Sequence, residues 1–275
     1  MEITKEDFLR FRDYFYRKTG IYFEESKRYF VDKRLEERAK IKGCADFRSY
    51  FNLLRFDRTD ELQAVINLMT VNETYFFRES YQLDCLVNSM MNEVAWQKRP
   101  GQRIRIWSLP CSTGEEPYSI ALSLLERWKG LADWDVEILA SDIDTQVLNR
   151  SREGIYDKRS LQHVPEQWLK KYFRPVAGGS SSRYQLIEDI RESVGFSRVN
   201  LYSASEVAAL GKMDVVFCRN LLIYFDDLSR RQAAERLFDA LNPGGFICLG
   251  HSESMSRISP LFKVRKFPDA LVYQK

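Results

Sequence analysis

Apolar residues in the first 70 positions recur every three or four residues, which is the spacing of amphipathic helices. A helix predicted over residues 4–19 begins at Thr4, where Asp7 completes a capping box, and ends at Gly20. Its apolar face carries Phe8, Phe11 and Phe15. The other helices predicted in this part cover residues 26–42, 46–55 and 59–69. Residues 1–70 therefore predict a small all-α domain.

From residue 103 onward the pattern changes, because short apolar runs alternate with helical segments. The apolar runs predict strands over residues 103–109, 136–141, 213–218 and 246–250. The helices predicted between them cover residues 117–129, 144–152 and 227–241. Such alternation favours parallel pairing and predicts a doubly wound α/β sheet. The last 14 residues predict two antiparallel strands around Pro268 and Asp269.

Two further segments complete the domain organisation. Residues 71–80 break the helical pattern and are predicted to be a linker, which a helix over 81–98 follows. About residues 165–197 interrupt the strand–helix alternation with short β-like segments, so we expect a small antiparallel β subdomain inserted into the sheet domain of residues 81–275. Its Gly- and Ser-rich stretch, 177–183, is expected to be the most flexible part of the chain.

The composition excludes several classes of protein. Hydrophobic residues make up 44% of the 275 positions, which is enough for a sizeable core and excludes a disordered chain. No apolar run reaches the roughly 18 residues of a membrane-spanning helix, so no membrane insertion is expected. The five cysteines form no CxxC pair and there are only two histidines, so we expect no metal site and a reducing, cytoplasmic environment.

The net charge of +3 lies in the N-terminal part of the sequence. Residues 1–60 carry 15 basic and 12 acidic side chains, whereas the remaining residues carry 27 of each. Four basic residues of the second predicted helix fall close to one stripe: Lys27, Arg34, Arg38 and Lys42. This excess is too small to indicate a nucleic-acid partner and suits an acidic protein partner, although a solvated helix face would show the same pattern.

Candidate ligand-binding loops follow the predicted strands, because ligands of open α/β sheets bind beyond the carboxyl ends of the strands. The glycine loop 110–116 ends with Glu115 and Glu116, which disfavour a phosphate and favour a cationic group, although both could simply complement the helix dipole. Asp142 follows the second strand and could accept both ribose hydroxyls, while Asp144 is better placed to cap the next helix; both could also be caps only. Adenosine with a cationic tail and no phosphate describes S-adenosylmethionine.

Longer motifs surround these loops. They are NETYFFRE (72–79), SLPCSTGEEPYSIA (108–121), ASDIDTQVL (140–148), VNL (199–201), FCRNLLIYF (217–225) and GHSES (250–254). Through them the sequence resembles the CheR-type chemotaxis receptor methyltransferases from about residue 5 to 274. The resemblance implies a mostly parallel Rossmann-like methyltransferase sheet with the all-α domain, the β insertion and a linker that contributes to the cofactor site. One departure is Leu109-Pro110, where a small residue is expected.

The resemblance also implies a reaction and its participants. The reaction is methyl transfer from S-adenosylmethionine to glutamate side-chain carboxylates in the cytoplasmic helices of methyl-accepting chemoreceptors. Its products are glutamate 5-O-methyl esters and S-adenosylhomocysteine. Such an enzyme needs no metal, nucleic acid or membrane insertion.

Carried over residue by residue, the resemblance assigns a site. Three linker residues would line the cofactor: Asn72, Thr74 and Arg78. The residues expected to hold its other parts are Glu116 for the methionyl amino group, Asp142 for the ribose, Asn200 and Leu201 for the adenine, and Arg219 and Asn220 for pocket closure. Arg78 and Tyr224 would be catalytic, beside the transferred methyl group. The basic stripe Lys27, Arg34, Arg38 and Lys42 would contact the acidic receptor helices.

The residue inventory agrees with this chemistry. A glutamate carboxylate is ionised at neutral pH and needs no general base, so the absence of a candidate catalytic His or Cys is expected. Two alternatives stay open, namely methylation of a small molecule or nucleic acid, and a non-catalytic cofactor sensor. Residues 219–222 read Arg-Asn-Leu-Leu where base methyltransferases carry an Asn/Asp-Pro-Pro-aromatic motif, which argues against nucleic acid. The intact set Arg78, Glu116, Asp142 and Tyr224 argues against a degenerate sensor.

Overall fold

The computed structural model describes residues 2–56, 60–176 and 182–275. Its N-terminal part is helical, as predicted, with α1 (Lys5–Thr19), α2 (Arg28–Ile41), α3 (Phe47–Phe56) and α4 (Glu61–Met69). The predicted capping box of Thr4 and Asp7 is present, and Gly20 ends α1 in the left-handed conformation. A 3₁₀ turn over Glu25–Lys27 precedes α2.

The linker leads into one long helical stretch that agrees with the helix predicted over 81–98. It consists of α5 (Ser80–Cys85), a π-helical turn (Leu86–Met90) and α6 (Met91–Gln97). The later helices are α7 (Glu115–Arg127), α8 (Thr145–Glu153), α9 (Glu166–Tyr172), α10 (Glu188–Glu192), α11 (Ala204–Ala209), α12 (Asp227–Ala240) and α13 (Met255–Ile258). Further 3₁₀ turns cover Lys129–Asp133 and Leu222–Tyr224.

Ten strands form two sheets in the described residues. They are β1 (Ile104–Ser108), β2 (Val136–Asp142), β3 (Ile155–Asp157), β4 (Phe173–Val176), β5 (Arg183–Leu186), β6 (Val194–Arg198), β7 (Met213–Cys218), β8 (Leu241–Leu249), β9 (Lys263–Lys266) and β10 (Leu271–Gln274). The main sheet has the order β6-β2-β1-β7-β8-β10-β9. Its first five strands are parallel, and the terminal hairpin β9–β10 adds antiparallel, which confirms the predicted α/β architecture.

The inserted subdomain differs from its predicted range of about 165–197. Its antiparallel sheet, in the order β3-β5-β4, takes residues between 155 and 186. Within the range expected to contain short β segments, Glu188–Glu192 form helix α10, and β6 pairs in parallel with β2 of the main sheet. A short strand pattern does not reveal which sheet it joins, because pairing depends on residues far away in sequence. Residues 177–181 of the stretch predicted to be flexible lie outside the described residues.

Two smaller differences concern element ends. Helix α7 begins at Glu115, two residues before the predicted start at Pro117. A proline is tolerated there because the first four N–H groups of a helix have no intrahelical acceptor. Strand β8 begins at Leu241, five residues before the predicted start at residue 246.

The N-terminal helices and one face of the main sheet share a single hydrophobic core. Phe11 and Phe15 of α1 belong to the same buried cluster as Trp107 of β1 and Leu201, which follows β6. The helical domain is therefore packed against the edge of the sheet where the predicted ligand loops emerge. Among the described residues, none of the helices combines the length and apolarity that crossing a membrane requires.

Candidate active site

Two adjoining cavities lie at the carboxyl ends of β1, β2 and β7. Their volumes are about 400 Å³ and about 170 Å³. Both are lined by Val71, Asn72, Pro110, Asn220, Ile223 and Tyr224. The cavities therefore form one cleft, and Asn220 and Tyr224 lie at its junction.

The larger cavity is mostly apolar, and Asp142 contributes a carboxylate to its lining. The Asp142 side chain is 2% exposed, and its oxygens accept hydrogen bonds from the backbone N–H groups of Ser112 at 2.9 Å and Asp144 at 3.0 Å. Burial raises the pKa of Asp142 to about 6, although these bonds oppose the rise. Because a carboxylate oxygen can accept more than one hydrogen bond, Asp142 retains acceptor capacity toward hydroxyl groups in the cavity.

The wall of the larger cavity comes from both domains. Asn200 and Leu201 line it from the sheet side, and Phe23, Phe30 and Lys27 line it from the helical domain. The Asn200 side chain donates to the carbonyl of Lys18 at 2.7 Å and accepts from the backbone N–H of Tyr202 at 3.0 Å. Asn200 thus ties the loop after β6 to the end of α1.

The smaller cavity is polar and contains Thr74, Arg78, Glu116 and Arg219. Glu116 accepts from the Ser108 hydroxyl at 2.7 Å and from Nη1 of Arg219 at 2.9 Å. Burial raises the pKa of Glu116, and the charge of Arg219 partly offsets that rise. The neighbouring Glu115 lines neither cavity and accepts from Thr113 and Ser160, so it has a structural role.

Arg219 is the central cation of this cavity and is only 5% exposed. Besides Glu116, it lies 3.1 Å from the carboxylate of Glu79 and donates to the carbonyl of Arg78 at 2.8 Å. Its Nε–H is buried and has no partner among the described residues. A buried donor without an acceptor costs stability, so this group fits a site that receives a polar ligand.

The two residues predicted to be catalytic both lie at this cavity. Arg78 donates to the carbonyl of Glu73 at 2.9 Å, and its guanidinium lies 5.9 Å from the centre of the Tyr75 ring. The Tyr224 hydroxyl makes no hydrogen bond to another residue in the described part of the chain, and burial raises its pKa while the charge of Arg78 opposes the rise. The Tyr224 hydroxyl is therefore protonated at neutral pH and available as a donor.

Asn72 holds the linker to the second ligand loop. Its side chain donates to Asp144 at 2.9 Å, and the Thr70 hydroxyl donates to the same oxygen at 2.7 Å. The other oxygen of Asp144 accepts from the backbone N–H groups of Gln146 and Val147, so the predicted cap of α8 is confirmed. Asn72 lines both cavities, but its side chain is already engaged by the protein.

The basic stripe is divided among several environments. Arg38 donates two hydrogen bonds to Glu61, at 2.6 and 3.0 Å, and Lys42 lies 3.2 Å from the same carboxylate. Arg34 donates to the carbonyl of Leu68 at 2.8 Å and stacks over the Phe30 ring, and Lys27 borders the larger cavity. Contact of these residues with a receptor stays a prediction.

Sequence reasoning missed two acidic residues of the site. Glu79 pairs with Arg219 and lies 3.2 Å from the His251 ring, while Glu253 holds backbone N–H groups of the loop that carries Asn220. Both stand inside quoted motifs, NETYFFRE and GHSES, so the signal was present. The sequence did not show which partners these carboxylates would meet.

Comparisons with known proteins match this architecture over nearly the whole chain. The all-alpha domain of CheR methyltransferases matches residues 6–70, and their SAM binding domain matches residues 72–271. The chain belongs to the CheR methyltransferase family. The predicted family is thereby confirmed, and so is the assignment as an S-adenosylmethionine-dependent methyltransferase of chemotaxis.

Curated relatives of this CheR methyltransferase carry consistent names. Chemotaxis protein methyltransferase 2 of Vibrio cholerae serotype O1 is 58% identical to this chain, and the matched region spans 99% of this chain and 94% of the Vibrio protein. Chemotaxis protein methyltransferase 2 of Pseudomonas aeruginosa is 39% identical, with coverages of 94% and 90%. The chemotaxis protein methyltransferase of Escherichia coli K12 is 35% identical, with coverages of 96% and 90%.

The cleft of this CheR methyltransferase fits S-adenosylmethionine. An apolar cavity that contains the Asp142 carboxylate suits an adenosine. A polar cavity with Glu116 and Arg219 suits an amino acid group that carries an ammonium and a carboxylate. Within residues 2–56, 60–176 and 182–275, no cluster of three His, Cys, Asp or Glu side chains is arranged to hold a metal ion.

Proposed function

We propose that the protein methylates glutamate side chains on the cytoplasmic helices of chemoreceptors and forms glutamate 5-O-methyl esters. One observation carries the proposal: Tyr224 and Asn220 line both an apolar cavity that contains Asp142 and a polar cavity that contains Glu116 and Arg219. The names of the relatives, all chemotaxis protein methyltransferases, support chemoreceptors as the substrate.

The cleft residues would hold S-adenosylmethionine in two halves. Asp142 would accept the ribose hydroxyls, and Asn200 and Leu201 would flank the adenine in the larger cavity. Glu116 would accept the ammonium of the methionyl group in the smaller cavity, where Thr74, Arg78 and Arg219 supply donors for its carboxylate. Asn72 and Asn220 would close the two halves around the junction. Bound there, the cofactor supplies a methyl group on a sulfonium, which is already activated for transfer.

The remaining task of the protein is to position the acceptor. A glutamate carboxylate is ionised at neutral pH, so no residue needs to remove a proton from it. The guanidinium of Arg78 and the hydroxyl of Tyr224 can each donate to one acceptor oxygen and leave the other directed toward the methyl group. Such alignment, together with removal of water from the carboxylate, accounts for catalysis without a general base.

Receptor encounter is the second part of the proposal. Chemoreceptor methylation helices are expected to be acidic, and the basic stripe of α2 would attract them over a distance. Arg34 tests this role best, because Arg38 and Lys42 also neutralise Glu61 and Lys27 lines the larger cavity. Arg34→Gln should raise the receptor KM and flatten its salt dependence, while kcat stays near normal.

The deciding experiment is a methylation assay with labelled S-adenosylmethionine and a panel of receptor cytoplasmic domains, with and without their C-terminal tails. We expect label on receptor glutamates that is released as methanol by mild base, as for methyl esters. Receptors whose methylated glutamates are replaced by alanine are the control and should take up no label. Base-stable label, or label only on small molecules or nucleic acid, would overturn the proposal.

A further inference from the structure

Glu253 lies in the loop after β8, and its carboxylate holds the backbone of a different loop. One oxygen accepts from the backbone N–H groups of Asn220 at 2.8 Å and Gly250 at 2.9 Å. The other oxygen accepts from the backbone N–H of Leu222 at 2.8 Å. In the described part of the chain no basic side chain pairs with Glu253. Burial raises the pKa of Glu253, and the hydrogen bonds from backbone N–H groups oppose that rise.

The loop that Glu253 holds runs from Arg219 to Phe225. Asn220 has a φ of +58°, a left-handed conformation that costs energy for a residue other than glycine. The 3₁₀ turn Leu222–Tyr224 follows directly. Asn220 and Tyr224 line both cavities, whereas Glu253 lines neither. Glu253 is therefore connected to the cleft through this loop and not by direct contact with the cavities.

Gly250 allows the two loops to approach this closely. A Cβ atom at position 250 would lie 2.6 Å from Nδ2 of Asn220 and 3.0 Å from the Glu253 carboxylate. A side chain at position 250 would have to displace the Asn220 amide, so glycine suits this close contact between the loops. The GHSES motif thus combines the carboxylate that binds the loop with the glycine that admits it.

We infer that Glu253 is a positioning residue of the active site, which sets the backbone of residues 220–222 and thereby orients Tyr224 at the junction of the cavities. The effect of Glu253 on catalysis rests on the proposed function. Its role in holding the loop rests only on the three backbone hydrogen bonds. Charge-assisted bonds of this kind are about twice as strong as neutral ones, which suits a loop with a strained residue.

The test uses Glu253→Gln, which keeps the size of the side chain but offers only one acceptor oxygen. At least one N–H group then faces an amide that cannot accept its bond. We expect kcat for receptor methylation to fall about tenfold or more, since small misplacements of reacting groups have effects of this order. The affinity for S-adenosylhomocysteine and the receptor KM should change by a smaller factor than kcat does. Amide hydrogen exchange at Asn220 or Leu222 should become faster by about tenfold.

Asp214→Asn provides the matched control. Asp214 is a buried carboxylate at the opposite end of β7 that accepts from the backbone N–H of Arg105 at 2.8 Å, and it also pairs with Lys98 at 3.0 Å. This control should lose stability while kcat stays near normal. Equal effects of the two variants on kcat and on unfolding temperature would overturn the inference, because Glu253 would then be merely structural. If Glu253→Gln does not fold, Glu253→Asp replaces it with the same expected results.

The exchange measurement separates this inference from the proposed function. If the wild-type enzyme methylated no receptor glutamate, the proposed function would fail, but faster exchange at residues 220–222 in the variant would still support the role of Glu253 in holding the loop. Unchanged exchange together with unchanged kcat would overturn the inference even with an active wild-type enzyme.

Discussion

Arg219 donates a hydrogen bond to Glu116 across 2.9 Å, so the carboxylate proposed to bind the ammonium group of the cofactor already has a cationic partner. The same guanidinium lies 3.1 Å from Glu79. Among Arg219, Glu116 and Glu79, one cation between two carboxylates leaves one negative charge, which an added ammonium group would balance. These three side chains therefore favour a ligand with an ammonium group, while Arg219 keeps the Glu116 carboxylate paired before the ligand binds.

Glu116→Gln tests this arrangement. The substitution keeps the shape of the side chain and removes the charge, so affinity for S-adenosylhomocysteine should fall by about 1.5–3 kcal/mol. Calorimetric titration measures the loss directly. Glu115→Gln is the matched control, because Glu115 is the adjacent and more buried carboxylate but bonds only to Thr113 and Ser160. Equal losses of affinity in both variants would show that Glu116 does not bind the ammonium group of the cofactor.

Asp142 should make cofactor affinity depend on pH. Its pKa of about 6 lies above the usual value, so the folded chain binds this proton more tightly than the unfolded chain does. The stabilising effect of this proton is complete below the usual pKa and is lost as pH rises through about 6. The ionised form accepts ribose hydroxyls best, so affinity for S-adenosylhomocysteine should fall as pH decreases from 7 to 5.

Asp142→Asn separates this effect from that of Glu116. The variant should bind S-adenosylhomocysteine more weakly at pH 7 and should lose part of the pH dependence, because its amide does not titrate. Titrations at several pH values for both proteins decide the matter. An identical slope in the two proteins would show that Asp142 does not meet the ribose.

Tyr224→Phe separates catalysis from binding. One positioning bond is worth about 1.5–3 kcal/mol, so kcat should fall by roughly one to two orders of magnitude while affinity for S-adenosylhomocysteine stays near normal. The defect should be constant from about pH 6.5 to 8.5, because burial raises the pKa of Tyr224 above its usual value near 10. Tyr14→Phe, which alters a hydroxyl in the helical domain, is the control. Wild-type turnover in Tyr224→Phe would return Tyr224 to a packing role.

Arg38 should contribute to stability through Glu61. Glu61 is 1% exposed, so Arg38→Gln leaves a buried carboxylate with Lys42 as its only close cation in the described part of the chain. Breaking such a pair costs about 3–5 kcal/mol, and denaturant unfolding should show a loss near the lower limit. Adding Glu61→Gln should recover part of it. Normal stability with a raised receptor KM would instead indicate that Arg38 belongs to the receptor-binding surface of this protein.

The sequence by itself determined the local elements and the location of the site. Thr4, Asp7 and Gly20 set the ends of α1 because their hydrogen bonds close within a few residues. The period of the apolar residues predicted the all-α domain and the alternation of strands and helices, because that period is set within each element. The loops at strand ends, with the motifs they carry, brought Asp142, Glu116 and Tyr224 to one edge of the sheet.

The tertiary structure decided which side chains meet. Arg219 and Glu116 are distant in sequence, and so are Glu253 and Asn220, so no local pattern could pair them. The same holds for β6, whose partner is β2, and for Arg38, whose partner Glu61 lies on another helix. A charge on a helix face looks the same in sequence whether it faces water or a buried carboxylate. Burial and long-range packing distinguish these environments, and both exist only in the folded chain.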